Sequence, residues 1–251
     1  MFGGTRLKAE FEFDLLGVSI DSKLSYHSHI TGICRNINGR LVCLRRLMSI
    51  LGKAEAIHVY KAYVRSVFEY APIVWMSANK SHLQKLDVRQ RKAFRIMGLD
   101  PTDVEKHKLY SPSFRRRVCA LENLYRLQQS SCPEFLRHLC PEPMKAPTRP
   151  TRSALAQQPH ALQVRTLCSR ERRVTRNQGN RLFDTDQYLR SFLPTSVADW
   201  NSLPASVVRE ISDSGGDHKL DRNARKAFVR RVVKHYLADE RTKHSMYDHD
   251  V

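Results

Sequence analysis

The stretch from Ala56 to Met97 constrains the fold most, because it reads as two amphipathic helices meeting at a corner that no straight helix can pass. Ile57, Tyr60, Val64, Val67 and Ala71 recur at steps of three and four, the period of one helix face. Pro72 has no N–H to donate, and its ring clashes with the carbonyl four residues back, so the first helix ends or bends there. Trp75 follows as a large apolar anchor. In the second helix Leu83, Leu86, Ala93, Phe94 and Met97 form the expected buried stripe, while Lys85, Arg89, Arg91, Lys92 and Arg95 fall on the other side. That helix is half core and half cationic rail.

The flanking sequence extends the helical pattern. Ile30, Ile33, Ile37, Leu41, Leu44, Met48 and Leu51 predict a long helix, with Ser25 or Ser28 as its cap and Gly52 at its C-terminal end. After Asp100-Pro101, taken as a stop signal, a loop is expected to Ser113. A helix then runs over Phe114–Gln129 with Val118, Leu121, Leu124 and Leu127 inside, and a short one over Pro133–Cys140. Arg115, Arg116 and Arg117 crowd the first turn of the former. Cations there oppose the helix dipole, which an anion bound nearby would explain, as would plain solvation. Before these helices, Phe11–Ile20 suits one or two strands, with few others to join. The fold class expected is mainly α: a helical bundle with a short N-terminal strand or hairpin and a smaller C-terminal helical segment.

Four regions follow: 1–25, the strand or hairpin; 26–140, the bundle; 141–180, a basic linker rich in Pro, Ser and Thr; and 181–251, the C-terminal segment. In the last, Trp200-Asn201-Ser202-Leu203-Pro204 reads as a helix end tied down by a buried indole, and Leu220–Leu237 as a final amphipathic helix.

Charge narrows the function classes. Lys and Arg number 43 against 25 Asp and Glu, a net charge of +18, which points to a polyanionic partner. A basic protein with no fixed partner is the alternative that charge alone leaves open. No apolar run reaches the ~20 residues of a membrane span, and no export signal is evident, so an intracellular protein, nuclear or cytoplasmic, is expected. The six cysteines, at 34, 43, 119, 132, 140 and 168, form no C-x-x-C pair, so neither a zinc module nor a disulfide framework is expected. Cys34 and Cys43 read as small core residues.

Catalytic signals are missing from the pattern. There is no phosphate-binding Gly-rich loop, no G-x-S-x-G and no adjacent pair of aspartates. Asp184-x-Asp186 and Asp248-x-Asp250 read as surface pairs or helix caps. His27-x-His29 with Cys34, and Cys132 with His138 and Cys140, lack a spacing that closes a tetrahedral set. The expectation is therefore binding, with no catalytic residue, cofactor, metal or small-molecule substrate.

The order of motifs resembles the region after the catalytic palm in reverse transcriptases of non-LTR (LINE, jockey-like) retrotransposons. The matching residues are Leu16, Gly17, Val18, Ile20 and Asp21; then Tyr60, Val64, Tyr70, Ala71 and Trp75; then Gln90, Arg91, Ala93 and Arg95. Arg115–Leu127, the Trp200-Asn201-x-Leu203-Pro204 motif and a basic helix containing Phe228 trail in the family's order, so the resemblance covers about residues 13–238. It implies a thumb that grips a template–primer duplex, RNA, DNA or their hybrid, through Lys85, Arg89, Arg91, Lys92, Arg95, Arg115, Arg116 and Arg117. The family's [FY]-x-D-D hairpin and further metal-binding aspartate have no counterpart in these 251 residues. The expectation is thus a C-terminal fragment of an RNA-directed DNA polymerase that binds duplex without extending it. The alternative is a helical module that docks a protein, a missing palm domain or another partner, on an apolar patch near Leu15, Leu16, Val18 and Trp75. An intact polymerase is the third reading, disfavoured by the missing carboxylates.

Overall fold

The computed structural model describes residues 10–129, 132–144, 160–163 and 186–213. The chain divides into two compact units, 1–116 and 117–251. The architecture is mainly helical, as expected, with one small sheet near the N-terminus.

The first unit opens with an antiparallel hairpin of β1 (Glu12–Leu15) and β2 (Val18–Asp21), in which Leu15 faces Val18 and Phe13 faces Ile20. Only Leu16 and Gly17 separate the strands, and both have positive φ, 49° and 80°. That is the backbone a two-residue hairpin turn demands, easy for glycine and strained for leucine. The strand of the sequence reading therefore has its partner in the next few residues.

Helix α1 (His27–Leu47) follows, with Ile30, Ile33, Ile37, Leu41 and Leu44 buried. Neither Ser25 nor Ser28 caps it through its side chain: the cap residue is Tyr26 in the left-handed region. Asp21 does the work instead, its carboxylate accepting from the N–H groups of Lys23, Ser25 and Tyr26 and from the Ser25 hydroxyl. Gly52 likewise begins the next helix rather than ending this one. Cys34 is buried as expected; Cys43 is exposed, because it falls off the apolar stripe.

The first helix of the corner is interrupted. It runs as α2 (Lys53–Val59), a π turn (Tyr60–Val64) and α3 (Arg65–Phe68). One extra residue in a turn sets the following residues back by about 100° around the axis. The buried stripe accordingly steps from Val64 to Phe68, while the expected Val67 and Ala71 are only partly buried. Trp75 is fully buried beyond the corner, its indole N–H donating to the Tyr70 carbonyl at 3.1 Å.

Helix α4 (Lys80–Met97) packs on α1 and ends at Gly98 in the left-handed conformation (φ 61°). Asp100-Pro101 then starts a helix where a stop was expected. In α5 (Pro101–Lys106), Asp100 accepts from the Asp103 N–H at 2.8 Å and Asp103 reaches back to the Asp100 N–H. Pro101 occupies the first helical position, where a missing N–H is no loss. Helix α6 (Pro112–Gln128) begins in this unit, its Phe114 N–H bonded to the Ser111 hydroxyl.

The second unit takes the rest of α6, where Val118, Leu121 and Leu124 are buried, then α7 (Glu134–Arg137), α8 (Asp186–Leu189), α9 (Phe192–Asn201) and α10 (Ala205–Asp213). Part of the expected linker is tied into this unit. Pro143 pairs with Leu162 in an antiparallel bridge, the Trp200 indole N–H donates to the His160 carbonyl, and the Asn201 amide bonds both the N–H and the carbonyl of Leu162. Trp200 is buried as read from the sequence. Leu220–Leu237, Phe228, Cys168, Asp184 and the Asp248-x-Asp250 pair lie outside the described residues.

Candidate nucleic-acid interface

The eight cations named from the sequence separate into two groups with different surroundings. On α4, Leu86, Gln90, Ala93 and Met97 face the core. At 100° per residue, Arg91, Lys92 and Arg95 then point away from it, and Lys85 and Arg89 flank it on one side. Arg91, Lys92 and Arg95 are exposed, whereas Lys85 and Arg89 are half-buried. The Arg89 guanidinium lies back along its own helix and donates to the Lys85 carbonyl at 3.1 Å. Both charges reach Cys34, whose thiol is pushed up by burial against their pull. None of the ion pairs among the described residues uses these five cations.

The acid on this helix, Asp87, is turned inward. Its carboxylate accepts from the Ser113 N–H in the first turn of α6, and burial raises its pKa although Arg116, Arg91 and Arg115 pull the other way. An anion at that helix start is what three crowded arginines and a helix dipole require. It comes from the fold itself.

Arg115 is almost fully covered. Its Nε lies 2.8 Å from Glu69 Oε1, and its Nη2 donates to Gln90 Oε1 at 3.1 Å. Gln90 also accepts from the Tyr60 hydroxyl at 3.1 Å and donates to the Tyr110 carbonyl at 3.0 Å. Burial pushes Tyr60 up to about 12, against the nearby Arg115 charge. Arg116 is 7% exposed, with its guanidinium carbon 5.5 Å from the centre of the Trp75 ring, a cation–π contact. Burial brings it down to about 10, opposed by Asp87, so it remains charged at neutral pH. Arg117 pairs with Asp199 through two hydrogen bonds of 3.0 and 2.7 Å. Arg115 and Arg116 are thus buried and partnered, and Arg117, its side chain 42% exposed, is paired with Asp199, so each of the three has a partner within its own unit.

Sequence reasoning missed Gln90 as the centre of this buried network, although the signal was present: its amide sits at i+4 of a stripe on which Leu86, Ala93 and Met97 are i, i+7 and i+11. It also missed Tyr70, whose hydroxyl donates to the Leu16 carbonyl at 2.5 Å and holds the hairpin turn against the helices. Most residues that carried the family resemblance are therefore architectural. Leu16, Gly17 and Tyr70 make the turn, Asp21 ties down the loop that leads into α1, and Tyr60, Trp75, Gln90 and Ala93 fill the core.

The apolar patch expected for a docked partner is altered as well. Val18 and Trp75 are buried; Leu15 and Leu16 stay exposed, beside Phe11 and Phe13 on the hairpin. Among the described residues no group of three or more His, Cys, Asp or Glu side chains is placed to hold a metal ion, and no helix is long and apolar enough to cross a membrane.

Comparison with known proteins agrees in one place. The chain is similar to the RNA-directed DNA polymerase from mobile element jockey of Drosophila funebris. Identity is 30% over 101 residues, which is 39% of this chain and 11% of the relative. The similarity relates the chain distantly to a retroelement reverse transcriptase, over a small part of that protein's length. No protein-family profile matches the chain, and no solved structure matches it.

Proposed function

We propose that this chain corresponds to the thumb and following region of a non-LTR retroelement reverse transcriptase, and that it holds the sugar–phosphate backbone of RNA, DNA or their hybrid along the outer face of α4. The observation that carries the reading is the contrast between the two basic groups. Arg115, Arg116 and Arg117 are engaged by Glu69, Trp75 and Asp199, whereas Lys85, Arg89, Arg91, Lys92 and Arg95 share one helix side with no ion pair among the described residues. Such a side exchanges condensed counterions for phosphates and carries no base readout. With no adjacent pair of aspartates in these 251 residues, the chain binds a duplex and does not extend one.

The test is affinity for a short RNA–DNA hybrid and for duplex DNA, measured by fluorescence anisotropy between about 50 and 200 mM salt. The expected result is a steep loss of affinity with salt. In Lys85→Glu/Arg89→Glu/Lys92→Glu, affinity should fall and the log–log salt slope should flatten by about 3, roughly one per lost phosphate contact. Salt-independent binding, or none, would sink the proposal.

A second reading rests on the hairpin, where Phe11 and Leu16 are 87% and 83% exposed and, among the described residues, β1 pairs only with β2. An open strand edge bearing apolar side chains suits a protein partner that adds a strand. Protection of the 10–16 amides from hydrogen exchange in a complex, with the α4 reversals having no effect on its formation, would favour that reading.

A further inference from the structure

Two histidines meet across helices in the first unit. His27 opens α1 and His82 lies in the first turn of α4, and their sequence separation is 55 residues. His27 Nδ1 lies 3.2 Å from His82 Nε2, with ring centres 4.5 Å apart and planes at 64°. Both rings are on the accessible side of the unit. Only one of the facing nitrogens can carry the proton of this contact, so the other presents a lone pair. Both protonated, they would set two N–H groups against each other.

The geometry points to a two-histidine site for a borderline transition-metal ion of the zinc, nickel or copper class, built from His27 Nδ1 and His82 Nε2. A metal held at 2.0–2.1 Å by two imidazoles in tetrahedral arrangement sets their nitrogens about 3.3 Å apart, and a right-angled arrangement about 2.9 Å. The observed 3.2 Å falls between, so an ion replaces the shared proton with little movement of either helix. The tautomers it needs have N–H on His27 Nε2 and His82 Nδ1; binding to the neutral pair releases no proton, and binding to the singly protonated pair releases one. Water completes the coordination, since no three-residue ligand group exists among the described residues. Two imidazole nitrogens with no carboxylate completing a ligand group among the described residues select against magnesium and calcium, which take oxygen ligands. The ion staples the start of α1, beside the hairpin, to the start of the helix that carries the cationic rail.

The experiment is thermal unfolding of the full chain at pH 7.5 with nickel or zinc chloride, paired with copper(II) electron paramagnetic resonance. Saturating nickel or zinc should raise the melting temperature by about 3–5 °C, and magnesium should not. His27→Gln and His82→Gln, both accessible substitutions, should each abolish the rise; His58→Gln, an exposed histidine elsewhere, should keep it. The copper spectrum should report two imidazole nitrogens, and one in either variant. An undiminished rise in His27→Gln or His82→Gln, or no rise in the unaltered chain, overturns the site. If either variant fails to fold, the nitrogen count in the copper spectrum of the unaltered protein decides: two supports the site and one or none overturns it.

Discussion

Asp21 accepts four hydrogen bonds, three of them from backbone N–H groups that no helix carbonyl reaches, so its charge matters to folding. Burial alone would raise its pKa, but the bonds from Ser25, Tyr26 and Lys23 outweigh it and bring the carboxyl below 3.8. A carboxylate whose folded pKa is depressed stabilises the fold above its unfolded pKa and stops doing so as pH falls through the folded value. Asp21→Ala should therefore lower stability by about 1 kcal/mol at pH 7, the range of a lost helix cap. The gap between variant and parent should close below pH 3.8. A series of urea titrations from pH 7 downward checks this, and a gap that never narrows as pH falls would show that packing, not charge, is at stake. Gln90 makes a complementary point. Its amide satisfies the Tyr60 hydroxyl, the Arg115 guanidinium and a loop carbonyl at once, so a polar residue on a core position is what allows an arginine to be buried beside it.

Elements were legible in proportion to how local their causes are. The stripes of α1 and α4 could be read because their buried apolar residues recur at the 3.6 period, and the Trp200 anchor because a tryptophan beside Asn-x-Leu-Pro has few other uses. Asp100-Pro101 was misread because the pair serves either end of a helix, and only Asp103 three positions on distinguishes a start. The π turn had no signal at all in the pattern, since Tyr60, Val64 and Val67 fit an unbroken helix equally well. What decided it was the demand of Phe68 for the core, a tertiary cause. Deleting Ala62, an exposed residue inside that turn, should restore a continuous α-helix and swing Phe68 toward solvent. Loss of a buried Phe costs about 3–5 kcal/mol, so the deletion should lower the urea midpoint severely. A midpoint within experimental error of the parent would mean that Val67 and Ala71 replace Phe68 without penalty.

At the scale of the molecule the surroundings of the candidate site were half legible. Counting cations marks one side of α4 and the start of α6 alike, because sequence spacing does not reveal that Glu69, Asp87 and Asp199 converge on Arg115, Arg116 and Arg117 from distant positions. The net charge of +18 poses a harder question, since any basic protein attracts nucleic acid in proportion to its charge. Two variants of equal charge separate a specific face from a general field. Reversing Lys85, Arg89 and Lys92 to glutamate changes the charge by three times two, from +18 to +12. Reversing Arg35, Arg45 and Arg46, exposed cations on α1, does the same. If the long-range field alone binds, both lose affinity equally. If α4 holds the backbone, its reversal should weaken hybrid binding at 100 mM salt by about 10²-fold or more beyond the α1 reversal, because close phosphate contacts are lost only there. Anisotropy titrations on the two proteins side by side measure that ratio, and a ratio near one would return the rail to the status of a solvated helix face.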